Sequence, residues 1–389
     1  MDIEVSRAPF ARRSIDQMSL AFRNLLHDRI RFLVTALGVA FAVFLMIFQG
    51  SLLIGFLGVA AEIIDAADSD IWITPRGISC FDFSATMDRR FREIAQGIPG
   101  VASVSRVSVA FANYRKPDGQ HQTVVLVGAD PTVGSRFPLP HLPNSLGGLE
   151  PEAIVIDESN ADSLGVDTFP THIEINGRRA HVSGKVRGFA SFLGSPYVFA
   201  SYEDASRYSG LGPEEGVYLI LRVAKDDDIA SVKAQLTARL PEVDVWTRDE
   251  FGRRSKLYWI TQTGAGAAIL TAAVLAFLIG LVVVSQTIYA TTMEHLDEFA
   301  TLKALGASQR FVIKVVLNQS LACCVAGCVL GLLATIPLVA FARRAVAWIY
   351  TPWWLMLVVL IPSLLMCVLA SIMSIRTALS VEPAKVFRV

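Results

Sequence analysis

The sequence is poor in charge, because only 18% of its 389 residues are Asp, Glu, Lys or Arg, whereas a typical soluble protein has about 25%. Its 35 basic residues balance 35 acidic ones, so no excess of positive charge indicates a nucleic-acid partner. Five scattered cysteines are too few for a disulfide scaffold. With 53% hydrophobic residues, the composition argues against a single soluble domain. It predicts a membrane protein with one sizeable polar insert.

Motifs that carry chemistry are also missing from the sequence. There is no G-x-x-x-x-G-K-[ST] phosphate-binding loop, so the chain is not expected to bind ATP itself. Neither G-x-S-x-G nor H-E-x-x-H occurs, which removes the commonest hydrolase and metalloprotease signals. Glu294, His295 and Glu298 lie close enough to be taken for metal ligands, but a solvated helix face explains them better. The sequence therefore predicts no catalytic residue, no metal site and no directly bound cofactor.

Four apolar runs are long enough to cross a membrane, because a hydrocarbon core of about 30 Å needs about 20 residues of helix. They are residues 32–59, 265–289, 315–342 and 353–375. Residues 60–262, between the first two runs, have the composition of a globular domain. The predicted fold class is therefore a membrane α-helical protein with four transmembrane helices. An α+β extracytoplasmic domain is inserted between helices 1 and 2.

The inserted domain reads as one α+β module that a second segment interrupts. Alternating patterns over 101–112 and 122–127 predict paired strands, with turn chemistry at Lys116-Pro117-Asp118-Gly119 between them. The module is assigned to about 65–130 and 214–250. The interruption, about 131–213, is itself rich in strand patterns.

Basic residues in short loops predict the orientation of the chain in the membrane. They precede the first helix, lie between the second and third, and follow the fourth: Arg7, Arg12, Arg13, Arg23, Arg29, Arg31, Lys303, Arg310, Lys314, Arg376, Lys385 and Arg388. Both termini are therefore expected in the cytoplasm and the large domain outside. Residues 1–31 are expected to contain an amphipathic helix at the inner interface, and 376–389 form a cytoplasmic tail. Arg343 and Arg344 run against this trend and are expected to reach the outer head groups.

Apolar residues recur at helical spacing in the loop after the second membrane helix, which predicts an amphipathic helix over 293–308 that ends at Gly306. Glu294 and Glu298 are four residues apart on it and repel each other. This pair is tolerable if both side chains are solvated, and it is better explained if a basic partner binds there. In the third membrane helix, Gly327 and Gly331 form a small-xxx-small pattern that predicts helix packing.

The segment from Glu294 to Ser308, E-x-x-x-E-F-A-T-L-K-A-L-G-A-S, resembles the signature of FtsX/MacB-type ABC transporter permeases. The tail over 381–388 is similar to the ending of these proteins. More narrowly, the chain resembles the DevC branch, because His295 stands where other branches usually have arginine. The segments 70–72 and 246–251 match the same branch. Unlike MacB, the sequence contains no fused ATPase domain.

The resemblance implies that two copies of the permease form a homodimer. It also implies separate ABC ATPase subunits, and ATP is expected to bind to these subunits and not to the permease. It implies mechanotransmission, in which the ATPase moves the external domains through a coupling helix. The residues that it assigns to ATPase coupling are Glu294, His295, Glu298, Phe299, Thr301, Leu302, Lys303 and Gly306.

DevC-like permeases work with a periplasmic adaptor protein and a TolC-like outer channel. The expected function is therefore that of an inner-membrane permease, in contact with membrane lipids, that drives export of a lipid, glycolipid or other amphiphilic envelope molecule. Two alternatives stay open. One is lipoprotein extraction as in Lol-type permeases, and the other is FtsX-like activation of an external hydrolase.

Overall fold

The computed structural model describes residues 29–130, 150–189, 194–212, 215–304, 308–344 and 346–380. The chain divides into two compact units, one formed by Met1–Ile54 with Ala268–Val389 and the other by Gly55–Ala267. The amphipathic helix expected within 1–31, the part of the tail beyond Ser380, and Gly306 lie outside the described residues.

The helices are, in chain order, α1 (Arg29–Val59), α2 (Glu62–Ala66), α3 (Arg90–Gln96), α4 (Ala161–Leu164), α5 (Tyr202–Ser209), α6 (Ile229–Arg239), α7 (Arg248–Thr261), α8 (Ala265–Glu294), α9 (Leu296–Ala304), α10 (Gln309–Ala342) and α11 (Trp353–Ser380). The strands are β1 (Ile71–Pro75), β2 (Met87–Asp88), β3 (Val101–Arg115), β4 (His121–Ala129), β5 (Ala153–Asp157), β6 (Thr171–Ile175), β7 (Arg178–Val186), β8 (Tyr197–Ser201), β9 (Glu215–Gly216), β10 (Tyr218–Val223) and β11 (Val243–Thr247).

In the described part of the chain, four helices are long and apolar enough to cross a membrane: α1 from Phe32, α8, α10 and α11. They precede and follow a mixed α/β domain, so the predicted fold class is confirmed. The helices extend beyond the apolar runs, because helical geometry continues where the sequence turns polar. α8 reaches Glu294 instead of 289, α10 begins at Gln309 instead of 315, and α11 ends at Ser380 instead of 375.

The unit Gly55–Ala267 is built on a nine-stranded sheet with the order β11-β1-β10-β3-β4-β8-β5-β7-β6. β3 and β4 form the predicted antiparallel hairpin, in register from Val107↔Ala129 to Arg115↔His121. One face of the sheet buries a cluster with large aromatic side chains, among them Trp72 and Tyr218, against Phe251 of α7. These residues pack ring against ring, since the Trp72 and Phe251 centroids are 5.5 Å apart.

The strands predicted as an insert over 131–213 instead complete the same sheet. β8 lies parallel to β4, with Leu126↔Val198 in register. At the other end of the order, β6 pairs with the end of β3 at Tyr114↔Ile175. The six strands β3-β4-β8-β5-β7-β6 therefore close on themselves around an apolar core. The reason is the length of β3, whose 15 residues extend beyond β10, so that β6 pairs with a later stretch of the same edge.

Candidate coupling site

The helix α9 follows α8 with a single residue, His295, between them. Backbone hydrogen bonds run through this junction, from His295 N to the Thr291 oxygen (3.3 Å) and from Phe299 N to the His295 oxygen (3.0 Å). The helix predicted over 293–308 is thus divided. Glu294 ends α8, and α9 covers only Leu296–Ala304 of that range.

One face of α9 is buried and the opposite face is acidic. Phe299 and Ala300 are 3% and 1% exposed, and Phe299 belongs to the apolar core of the membrane helices. The exposed side chains recur at spacings of three and four residues, which places them on one helix face: Glu294, Asp297, Glu298 and Thr301. The side chain of Leu302 lies outside the described residues. A buried aromatic residue therefore fixes α9, and three carboxylates lie on one side of it: Asp297 and Glu298 of α9, and Glu294 at the end of α8. This side is called the acidic face of α9 below.

The predicted repulsion between Glu294 and Glu298 is only part of the electrostatics here. His295 Nδ1 lies 3.1 Å from Glu298 Oε1, with the histidine side chain only 16% exposed and the glutamate 58% exposed. Asp297 and Glu298 also lie in the first turn of α9, where the helix dipole stabilises negative charge. These contacts hold the carboxylates in place and leave Glu298 accessible. The Thr301 hydroxyl instead donates within the helix, to the Asp297 oxygen at 2.8 Å.

Lys303 does not belong to the acidic face. Its Nζ donates to the carbonyl oxygens of Ala378 (3.0 Å) and Leu379 (2.7 Å). These carbonyls lie in the last turn of α11, where the oxygens have no partner within the helix and carry the negative end of the dipole. Lys303 therefore caps α11, a role that the sequence did not indicate, because the two contacts span 75 and 76 residues.

Gly327 and Gly331 lie where α10 meets α1. A Cβ at Gly327 would be 2.3 Å from Val39 Cβ, and one at Gly331 would be 2.8 Å from the Ala40 oxygen. A similar approach joins α8 to α1, since a Cβ at Gly280 would be 2.5 Å from Ala42 Cβ. The glycines thus let α1 pack closely on its neighbours within one chain.

Comparison with known families matches nearly the whole of the described chain. Residues 32–239, more than half of the sequence, match the MacB-like periplasmic core domain. Residues 270–383, which include α9, match the FtsX-like permease C-terminal family. No curated protein matches the chain.

Solved structures with similarity to this chain include two external domains of transporters. The periplasmic region of MacB from Actinobacillus actinomycetemcomitans is 12% identical, covers 50% of this chain and 96% of that one, and has a TM-score of 0.36. The extracellular domain of the noncanonic ABC-type transporter YknZ from Gram-positive bacteria is 14% identical. It covers 46% of this chain and 98% of that one, with a TM-score of 0.32.

The two family matches correspond to different parts of the chain. The unit Gly55–Ala267 falls mainly in the periplasmic core domain, so it lies outside the cytoplasm. One helix that could span a membrane, α8, separates this domain from α9 along the chain. This chain therefore belongs to the MacB/FtsX-type permeases of ABC transporters.

Proposed function

We propose that this permease works by mechanotransmission, with α9 as the coupling helix for a separate ABC ATPase subunit. The acidic face of α9 is the observation that carries this proposal. Glu294, Asp297 and Glu298 are exposed on one side, while Phe299 and Lys303 tie the other side to the membrane helices. A helix held in this way transmits a push on its exposed face to the spans.

The interior of the membrane helices favours mechanotransmission and argues against transport through a wide polar channel. Two serine hydroxyls buried among these helices bond to helix carbonyls. Ser320 Oγ donates to the Cys367 oxygen at 2.8 Å, and Ser363 Oγ donates to the Val359 oxygen at 2.7 Å. The first of these bonds joins α10 to α11, as polar side chains often do in membrane proteins, and the second lies within α11. A cargo path through this unit would need ionisable or amide side chains facing water.

The cargo and the remaining partners follow from the DevC-like resemblance of residues around His295. On that basis the chain acts as a homodimer in the inner membrane and exports a lipid, glycolipid or other amphiphile. A periplasmic adaptor and a TolC-like channel complete the path. Lol-like lipoprotein extraction and FtsX-like activation of a hydrolase are the competing functions. Copurification from native membranes separates them, since each one requires a different external partner.

Reversing the charge of Glu298 tests the coupling-helix assignment. Because Glu298 is exposed and oriented by His295, a basic or donor-rich groove on the ATPase is expected to receive it. Glu298→Lys would place like charges at that contact, which typically costs about 2–5 kcal/mol. We expect a folded permease that no longer retains its ATPase in a pull-down, or no longer stimulates ATP hydrolysis.

Two variants make the result specific. Glu298→Gln removes the charge without reversing it and should have an intermediate effect. Glu294→Lys lies nearer the membrane end of the loop and should be milder. Wild-type ATPase binding and stimulated turnover with Glu298→Lys would rule out α9 as the coupling helix. The permease purified without its ATPase should hydrolyse no ATP.

A further inference from the structure

A cleft of about 420 Å³ opens beside β3 within the unit Gly55–Ala267. Its volume falls in the range of about 300–1,000 Å³ that small-molecule sites occupy. Its lining also includes the segment Phe83–Thr86, residues 209–211 and Glu215 of β9. Two aromatic side chains stand at its mouth, Phe83 (47% exposed) and Phe111 (45% exposed).

Aromatic rings connect this cleft with the end of the first membrane helix. Phe56 lies in the last turn of the apolar span that ends at Val59, and its ring packs against Trp259 with centroids 6.3 Å apart. Trp259 in turn lies 5.8 Å from Phe83, and Phe83 lies 6.3 Å from Phe111. Tyr258 joins the same group, 6.1 Å from Phe83. A continuous aromatic path therefore leads from the membrane boundary to the cleft, which suits an alkyl chain that leaves the bilayer.

The polar groups of the cleft indicate the head group of its ligand. None of the described residues that line it is Lys, Arg or His, whereas Asp82 and Glu215 both contribute carboxyl groups. An anionic head group would be repelled. A cationic one would meet Glu215 alone, because Asp82 is only 4% exposed. Tyr197 Oη donates to Asp82 Oδ1 at 2.6 Å, and Gly212 N donates to Glu215 Oε2 at 2.9 Å.

Hydrogen-bonding capacity remains along the edge of β3. β10 pairs with β3 as far as Val107, and β6 pairs with it from Tyr114. Between these points β3 has only β4 as a strand neighbour in the described part of the chain. In this stretch the Val109 oxygen accepts from Ser84 Oγ at 3.0 Å. Backbone groups and hydroxyls of this kind suit a head group that carries hydroxyls of its own.

We infer that this cleft binds a membrane amphiphile, with its alkyl chain against Phe83 and Phe111 and an uncharged, hydroxyl-bearing head group beside Ser84 and Glu215. The inference rests on the proposed export function and gives that function a binding site in the external domain.

Photocrosslinking of the full-length permease in phosphatidylcholine nanodiscs tests the site. The probes are a glucosyl diacylglycerol and a phosphatidylglycerol, each with the same diazirine in its acyl chain, and mass spectrometry locates the crosslinks. We expect the glucosyl probe to label residues 83–86 or 108–111 at least fivefold more than the phosphatidylglycerol probe. Phe83→Ser and Phe111→Ser should each reduce this labelling at least fivefold. Ile94→Ser, which alters a side chain that is 37% exposed elsewhere on the domain, should leave it unchanged.

A charge reversal tests the head-group preference separately. Glu215→Lys should raise labelling by the phosphatidylglycerol probe, because it replaces the exposed carboxylate with a cation. Equal labelling by the two probes in the wild type would overturn the inference. Labelling that Phe83→Ser and Phe111→Ser do not reduce would also overturn it.

Adding the ATPase subunit to the same nanodiscs distinguishes the two proposals. If the ATPase binds and is stimulated while the cleft stays unlabelled, the lipid site is wrong and the coupling function stands. If the ATPase neither binds nor responds, the proposed function fails whatever the labelling.

Discussion

The ammonium group of Lys303 joins α9 to the end of α11, 2.7 Å from the carbonyl oxygen of Leu379. A second bond to the Ala378 oxygen (3.0 Å) fixes its position in the last turn. Because both acceptors belong to one helix end, this side chain links α9 to the end of α11. The same side chain thus completes the C-terminus of a membrane helix and connects it to the proposed coupling helix.

Replacing Lys303 should uncouple the two helices without removing the acidic face. Hydrogen bonds from a charged donor are worth about 1.5–3 kcal/mol, so Lys303→Met should lower the thermal stability of the permease modestly. We expect the ATPase still to bind, because Glu294 and Glu298 are unchanged, but its stimulated turnover to fall severalfold. Lys303→Arg, which keeps the charge and the donors, should restore most of the turnover. Equal turnover in wild type and Lys303→Met would show that this contact carries no coupling.

Close packing at Gly327 should make that position intolerant of the smallest side chain. A Cβ there would lie 2.3 Å from Val39 Cβ and 2.9 Å from the Ala36 oxygen, so α1 and α10 would have to separate. Overpacking of this kind typically costs about 1–3 kcal/mol. Gly327→Ala should therefore lower the melting temperature of the detergent-solubilised protein. Gly58→Ala is the matched control, since Gly58 also lies in a membrane helix, α1, but has no atom within 4 Å of the added Cβ. Similar melting temperatures for the two variants would contradict this packing.

The orientation of the chain predicts opposite labelling of two engineered cysteines. Asp118 lies in the turn between β3 and β4 of the external domain, and Thr301 is exposed on α9. In a cysteine-free background, a membrane-impermeant maleimide added to intact cells should label Asp118→Cys and spare Thr301→Cys. Permeabilising the cells should make Thr301→Cys reactive. If Asp118→Cys were labelled only after permeabilisation, the predicted orientation of the chain in the membrane would be wrong.

The sequence predicted well what depends on local pattern. The membrane helices follow from apolar runs, and the β3–β4 hairpin follows from alternation around a turn with suitable chemistry. It did not predict that residues 153–201 would complete the sheet, because the pairing of β8 with β4 and of β6 with β3 depends on contacts distant in sequence. The acidic face of α9 was visible in the spacing of Glu294 and Glu298. The binding of Lys303 to α11 could not be predicted, since a basic residue at the end of an amphipathic helix is normally interpreted as exposed to solvent.

The carboxyl group of Glu62, which is buried just after the first membrane helix, makes the stability of the protein depend on pH. It lies in the first turn of α2, and burial raises its pKa to about 8, with further contributions from the carboxylates of Asp157 and Asp65. Its neighbour Asp65 is paired instead, 2.9 Å from Lys256 Nζ. Glu62 therefore binds a proton in the folded protein at a pH where the unfolded chain has released it.

Glu62→Gln should consequently remove part of the pH dependence of stability. Between about pH 4.5 and pH 8 the folded protein holds more protons at this position than the unfolded chain, so the free energy of unfolding falls as the pH rises. Below that window both states are protonated, and above it both are ionised, so the contribution is constant. The melting temperature of Glu62→Gln minus that of wild type, followed by tryptophan fluorescence of the full-length protein, should grow from pH 5 to pH 8. An exposed control on α3, Glu93→Gln, should give a difference that does not change with pH. A constant difference for Glu62→Gln would mean that this carboxyl is ionised in the folded protein throughout.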